Sequence, residues 1–245
     1  MKPVAIFRHN PTEGPGYFAT FLEAHSIPFT LIAIDCGDPV PARADAFSGL
    51  CFMGGPMSVN DSLDWIVEEC ALIRFAVGQD IPVIGHCLGG QLMSQALGGT
   101  ITRNPVKEIG WGSVVAENNE LAQHWLGNAL GGSSGAASVF QWHGETFSLP
   151  LDATRILTND FCANQAFILG PHLGMQCHVE MTPQMIEVWC KSWEDEVAEL
   201  TTGFSPLPDS VQTPEQMQAA TSEQLVAMRQ LADQLYCVWI SGLAR

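Results

Sequence analysis

Cys87 stands in Pro82-Val83-Ile84-Gly85-His86-Cys87-Leu88-Gly89-Gly90-Gln91, which reads as a buried strand, a tight glycine-lined turn and the start of a helix. A thiol at a helix N-terminus faces unpaired N–H groups and the positive end of the helix dipole, and both favour thiolate. Far downstream, Gly174-Met175-Gln176-Cys177-His178-Val179-Glu180 sets a histidine and a carboxylate one residue apart. On a strand such a pair shares one face. A thiol, a base and a carboxylate that orients the base are the parts of a covalent acyl-transfer site. Gly85 and Gly89 give the turn the character of a nucleophile elbow, so the N–H of Leu88 points where an oxyanion forms. Gly54-Gly55-Pro56 ends a neighbouring strand on the same sheet edge, which makes the N–H of Gly55 the candidate second donor. Alone, a Gly-Gly-Pro is a strand-ending turn and a lone histidine a polar surface or core residue; the combination carries the reading. Alternation turns His86 away from the Cys87 side chain, so it is expected packed behind the elbow.

The elements that position these residues follow from apolar runs and turn signals. Short strands are predicted at Pro3 to Phe7, Phe29 to Ile34, Leu50 to Met53 and Ile81 to Ile84. Helices are predicted over Tyr17 to His25, after a cap at Asp61-Ser62-Leu63-Asp64, and over Leu88 to Leu97. Strands alternating with helices imply an α/β fold with a mostly parallel sheet covered on both faces. Beyond residue 97, Thr100 to Thr102, Gly110 to Ala116, Ser138 to Trp142 and Arg155 to Leu157 read as short antiparallel strands. Ala166 to Leu169 and Leu173 to His178 form a hairpin around Gly170-Pro171. Gly127 to Gly135 reads as a surface loop and Met185 to Leu200 as one helix. The predicted division is a domain over 1–200, then a linker and helical tail over 201–245. The tail's apolar stripe, Leu225, Met228, Leu231, Leu235, Val238 and Trp239, suits packing on the domain or on a partner.

Composition narrows the function classes. The 245 residues are 47% hydrophobic and only 15% charged, enough to bury a full core. Twenty-six acidic against 10 basic residues give a net charge of -16, which argues against nucleic acid or an anionic membrane surface as partner. The eight cysteines form no Cys-x-x-Cys pair, and the N-terminus runs straight into a strand. Reduced core thiols, no metal site and a cytoplasmic location are the expectation.

Taken together, Gly-x-Cys-x-Gly-x-Gln at 85–91, Gly-Gly-Pro at 54–56 and Gly-x-Gln-x-His-x-Glu at 174–180 resemble the class I glutamine amidotransferases, in particular stand-alone proteins similar to the glutaminase domain of GMP synthase. The resemblance covers about residues 1–195. It implies a flavodoxin-like three-layer sandwich with a small antiparallel sheet and a C-terminal helical tail. It also implies a Cys87–His178–Glu180 triad that forms a γ-glutamyl thioester, an oxyanion hole from Gly55 and Leu88, and substrate contacts at Gly54, Gln91, Trp142 and His143. No cofactor is implied. The substrate is glutamine or another γ-glutamyl small molecule, and a separate ammonia-accepting synthase subunit is a partner consistent with the pattern. Val179 replaces the usual proline, Cys177 the usual aromatic, and no phosphate-binding Gly-rich loop is present, so the chain alone is not expected to use ATP. A γ-glutamyl peptidase, or a binding protein on the same fold, are the competing readings. A cysteine α/β-hydrolase fits less well, because that fold places its acid before its histidine.

Overall fold

The computed structural model describes residues 1–130, 135–201 and 208–243. Nine strands form one sheet in the order β2-β1-β3-β4-β9-β8-β7-β5-β6. The first half is parallel: β1 (Val4–Arg8) lies between β2 (Phe29–Ala33) and β3 (Gly49–Phe52), and β4 (Val83–His86) lies between β3 and β9 (His172–Met175). β8 (Ala166–Leu169), β7 (Thr154–Thr158), β5 (Ile101–Ala116) and β6 (Ala136–Phe147) extend the same sheet antiparallel from β9. The antiparallel strands are thus continuous with the parallel ones through the β8–β9 hairpin. β1, β3 and β4 are buried along almost their whole length, as a sheet covered on both faces requires.

Helices cover the faces: α1 (Gly16–Ala24), α2 (Asp64–Val77), α3 (Leu88–Ala96), α4 (Glu120–Leu126), α5 (Pro183–Ser192), α6 (Glu194–Thr201) and α7 (Pro214–Ser241). Two hydrophobic clusters form the core, one on each side of the parallel strands. Leu225, Met228, Leu231, Leu235 and Trp239 of α7 are buried in the same cluster as Ile6 and Ile84, so the tail's stripe lies against the sheet.

Several expected boundaries differ. The strands expected around residues 100–116 are one strand, β5, whose register with β6 shifts between Arg103 and Glu108. That bulge accommodates Pro105, which has no N–H for the ladder. The helix expected over Met185 to Leu200 breaks at Trp193 into α5 and α6. α2 starts at Asp64 without a side-chain cap, because Asp61 instead accepts the Ser58 amide. Ser210 to Gln212, expected within a linker, are stitched to β5: the Ile109 amide donates to Ser210 O and the Gln212 amide to Ile109 O. Residues 131–134 of the expected surface loop and 202–207 of the expected linker lie outside the described residues.

Candidate active site

The elbow is built by close packing. Cys87 caps α3 with φ +50° and ψ −106°, a left-handed conformation that costs a side-chain-bearing residue about 1–3 kcal/mol. The turn needs Gly89, where a Cβ would stand 2.0 Å from the carbonyl oxygen of Phe52 at the end of β3. Leu88 is the first residue of α3, so its N–H has no intrahelical acceptor. A Cβ on Gly55 would lie 2.7 Å from the Leu88 side chain, so the two segments expected to supply oxyanion donors are in contact. Behind them, buried His9 holds the loop, with Nδ1 3.1 Å from Met53 O and Nε2 3.0 Å from a carboxylate oxygen of Glu69.

His178 and Glu180 do not lie on a regular strand. β9 ends at Met175, and the chain then crosses to β6, where His178 and Phe140 exchange two backbone hydrogen bonds of 2.8 and 3.0 Å. His178 Nδ1 donates to Glu180 Oε1 at 2.6 Å, and the Val179 amide donates to Glu180 Oε2 at 2.9 Å. Both side chains are fully buried. Burial acts to raise the Glu180 pKa, but the charges and hydrogen bonds of His178 and its surroundings outweigh it and pull the carboxyl down to about 2. Burial acts to lower the His178 pKa, but Glu180 and then Cys87 hold it well above the ordinary histidine value. The pair is an ion pair with its second nitrogen, Nε2, buried and unpaired.

Cys87, Gly55, Gln91, Trp142 and His143 line one partly open cavity of about 820 Å³. Gln176 Nε2 donates to Cys87 Sγ at 3.6 Å, and Gln91 Nε2 donates to Gln176 Oε1 at 3.1 Å. Gln176 has no role assigned from the sequence; its place in Gly-x-Gln-x-His-x-Glu, two residues before His178, is the signal that could have given it one. Trp142 brings its carbonyl to 4.0 Å from Cys87 Sγ, while its indole N–H donates to Glu196. His143 Nδ1 lies 3.0 Å from Glu145 O, while its buried Nε2, 3.0 Å from a carboxylate oxygen of Glu108, makes no hydrogen bond among the described residues. Gly54 makes room: a side chain there would collide with Glu13 and crowd His178. His86 lies behind the elbow as expected, with Nε2 3.0 Å from Tyr236 OH on α7 and 3.9 Å from Glu180.

Glu108, His143 and Cys162 have donor atoms within 4.8 Å of one another and could hold a metal ion. Two of the three are already hydrogen-bonded: Glu108 accepts from Asn159 at 2.6 Å and Gln165 at 2.9 Å, and Cys162 lies 3.2 Å from the Thr146 hydroxyl, whereas His143 Nε2 makes no hydrogen bond among the described residues. Of the three, His143 lines the cavity.

Cys87 is expected to be the first thiol alkylated near neutral pH. It lines the cavity at a helix N-terminus, whereas burial pushes the Cys51, Cys70, Cys162 and Cys177 thiols up. Peptide mapping after limiting iodoacetamide checks this, and labelling of Cys36 or Cys162 ahead of Cys87 would overturn it.

Residues 23–187 match the family described as glutamine amidotransferase class-I, so the chain belongs to the class I glutamine amidotransferases. A crystal structure of a glutamine amidotransferase from Methylobacillus flagellatus superimposes with a TM-score of 0.93 at 41% identity, covering 100% of this chain and 96% of that one. The glutamine amidotransferase-like protein YfeJ of Salmonella typhimurium is 29% identical over 78% of this chain and 81% of its own length. The glutamine-hydrolyzing GMP synthase of Aromatoleum aromaticum is 29% identical over 57% of this chain but only 27% of its own length. Gamma-glutamyl peptidase 3 of Arabidopsis thaliana is 27% identical over 62% of each chain. Among the described residues, no helix is long and apolar enough to cross a membrane.

Proposed function

We propose that the protein hydrolyses the γ-carboxamide of glutamine through a Cys87–His178–Glu180 triad. Cys87 Sγ passes its proton to His178 Nε2 and attacks the amide carbon, and the N–H groups of Gly55 and Leu88 bind the oxyanion. His178 Nε2 gives its proton to the departing nitrogen, leaving a γ-glutamyl thioester. It then takes a proton from the water that attacks this thioester, releasing glutamate and the free thiol. Glu180 fixes the Nδ1–H tautomer that leaves Nε2 free. The observation that carries the reading is the buried His178–Glu180 ion pair beside a strained cysteine that opens into a cavity. Gln91, Trp142 and His143 line that cavity as substrate contacts, and Gly54 acts beside it by leaving room for Glu13 and His178. The ammonia is either released or handed to a separate synthase subunit. The acidic charge and unpaired thiols fit a cytoplasmic protein that uses neither nucleic acid nor membrane.

A second reading, hydrolysis of larger γ-glutamyl amides, is favoured by the cavity. Its volume falls in the range of about 300–1,000 Å³ that accommodates drug-sized ligands. Arg103 adds a guanidinium on its wall without an ion-pair partner among the described residues, suited to a peptide carboxylate. The similarity to a γ-glutamyl peptidase points the same way.

Glutamate release from glutamine, glutathione and γ-glutamyl dipeptides, with Cys87→Ala as blank, separates the readings. Turnover of glutamine supports the first, and turnover of the peptides alone supports the second. Neither, with no labelling of Cys87 by a glutamine-analogue electrophile, would overturn both.

A further inference from the structure

A second carboxyl lies inside this site and has no part in the triad. Glu13, on the loop between β1 and α1, is 93% buried by its 7% exposure and lines the cavity with Cys87; its amide donates to Asn10 O, but its carboxyl has no hydrogen-bond or ion-pair partner among the described residues. A buried polar group is normally satisfied, so one left unpaired and turned into a cavity is poised for a ligand. Its position says which part of the ligand. From the point where a Cβ on Gly54 would stand, Glu13 Oε2 is 2.2 Å away and His178 Cε1 is 3.2 Å away. Cε1 lies between the two ring nitrogens, one of which, Nε2, protonates the leaving group. Glu13 therefore stands on the cavity wall next to the imidazole from which the nitrogen departs.

We infer that Glu13 is a catalytic residue that receives the released amine, protonates it and so commits the thioester to hydrolysis. The inference rests on the triad reading above. As the tetrahedral intermediate collapses, the C–N bond breaks and the nitrogen takes the Nε2 proton of His178, giving neutral ammonia. Ammonia then takes the proton of the Glu13 carboxyl, leaving a carboxylate–ammonium pair. Ammonium has no lone pair and cannot re-attack the thioester. After hydrolysis, the proton shed by the new γ-carboxylic acid restores Glu13 as ammonium departs. The net reaction is amide plus water to carboxylate plus ammonium. A site of this kind serves hydrolysis for its own sake, because a synthase would need ammonia neutral.

The groups facing Glu13 fit this use. Burial pushes its pKa up to about 7; His178 and His9 act to lower it and Glu180 to raise it. The carboxyl is thus protonated below neutrality and donates most readily there.

The test is the nitrogen-15 isotope effect on kcat/KM for glutamine, which is full when C–N cleavage is committed and suppressed when nascent ammonia re-attacks before it escapes. In Glu13→Gln, released ammonia stays nucleophilic, so the effect is expected to fall to roughly half of the wild-type value or less at pH 6.5. Glu13→Asp, which keeps an acid, is expected to fall between the two, and it carries the test if Glu13→Gln fails to fold. The gap between wild type and Glu13→Gln is expected to close as pH rises past the Glu13 value. An isotope effect that is unchanged or larger in both variants would overturn the role of Glu13 while leaving the triad standing. A wild type that hydrolyses no γ-glutamyl amide would defeat the triad reading and this inference with it.

Discussion

Cys87→Ala is expected to lower glutamine turnover by at least about 10⁴-fold while shifting the melting temperature by no more than a few degrees. The two halves of this expectation have separate causes. Chemistry is lost because the sulfur is the only atom at the elbow that can form the acyl bond, and neither Gln176 nor Gln91 can replace it. Stability is kept because the sulfur's hydrogen bonds are long, 3.6 Å from Gln176 Nε2 and 4.0 Å to Trp142 O. Alanine also inherits the same strained φ of +50°. His178→Ala is expected to match this loss, and the double variant to be no worse than either single one, because members of a catalytic unit are strongly non-additive. Stopped assays of glutamate release, paired with thermal melts, check both halves. Turnover within tenfold of wild type in Cys87→Ala would overturn covalent catalysis.

The parallel half of the sheet was legible because its strands are buried on both faces and therefore written as unbroken apolar runs, such as Val4 to Phe7 and Leu50 to Phe52. The elbow was legible because three constraints fall on neighbouring residues: a positive φ at Cys87, a backbone contact at Gly89 and the start of a helix. The antiparallel half was harder. Pro105 reads as a break, yet β5 runs through it, because pairing with β6 resumes at Glu108 on the other side of a bulge. The break at Trp193 was hidden because the apolar rhythm of α5 continues past it. Glu13 was not legible at all. Before Gly14-Pro15-Gly16 it reads as a polar loop residue, and only the path of β1 to the same sheet edge as β3 and β4 carries it to His178. The same holds for His9 with Glu69 and for His86 with Tyr236. Each pair joins residues far apart in the chain through a side-chain contact that no local pattern encodes.

Glu180→Gln is expected to lower turnover by about 10³–10⁴-fold and to flatten the pH dependence of stability on the acid side. The carboxylate accepts the Nδ1–H of His178 at 2.6 Å and so leaves Nε2 as the working nitrogen. A glutamine amide offers an N–H to Nδ1 instead, which drives the proton to Nε2 and the ring into the wrong tautomer. Glu180→Ala imposes no such tautomer and is expected to be milder than either Glu180→Gln or Cys87→Ala. The stability effect follows from linkage. Glu180 is held at about 2 in the folded protein against 4.5 in the unfolded chain, so its contribution is present above pH 4.5 and lost as pH falls toward 2. His178 is raised above 6.5, so its contribution is present below pH 6.5 and lost as pH climbs through the raised value. The ion pair therefore stabilises most between about pH 4.5 and 6.5, where both partners carry charge at least cost. Wild type is expected to lose melting temperature steadily below pH 4.5, and Glu180→Gln to lose less over the same range because it has no carboxylate to protonate. Melting curves from pH 3 to 8, together with turnover at pH 7, read both effects. Parallel acid limbs for the two proteins would show that Glu180 is not held as an anion. Full turnover in Glu180→Gln would show that it does not set the tautomer of His178.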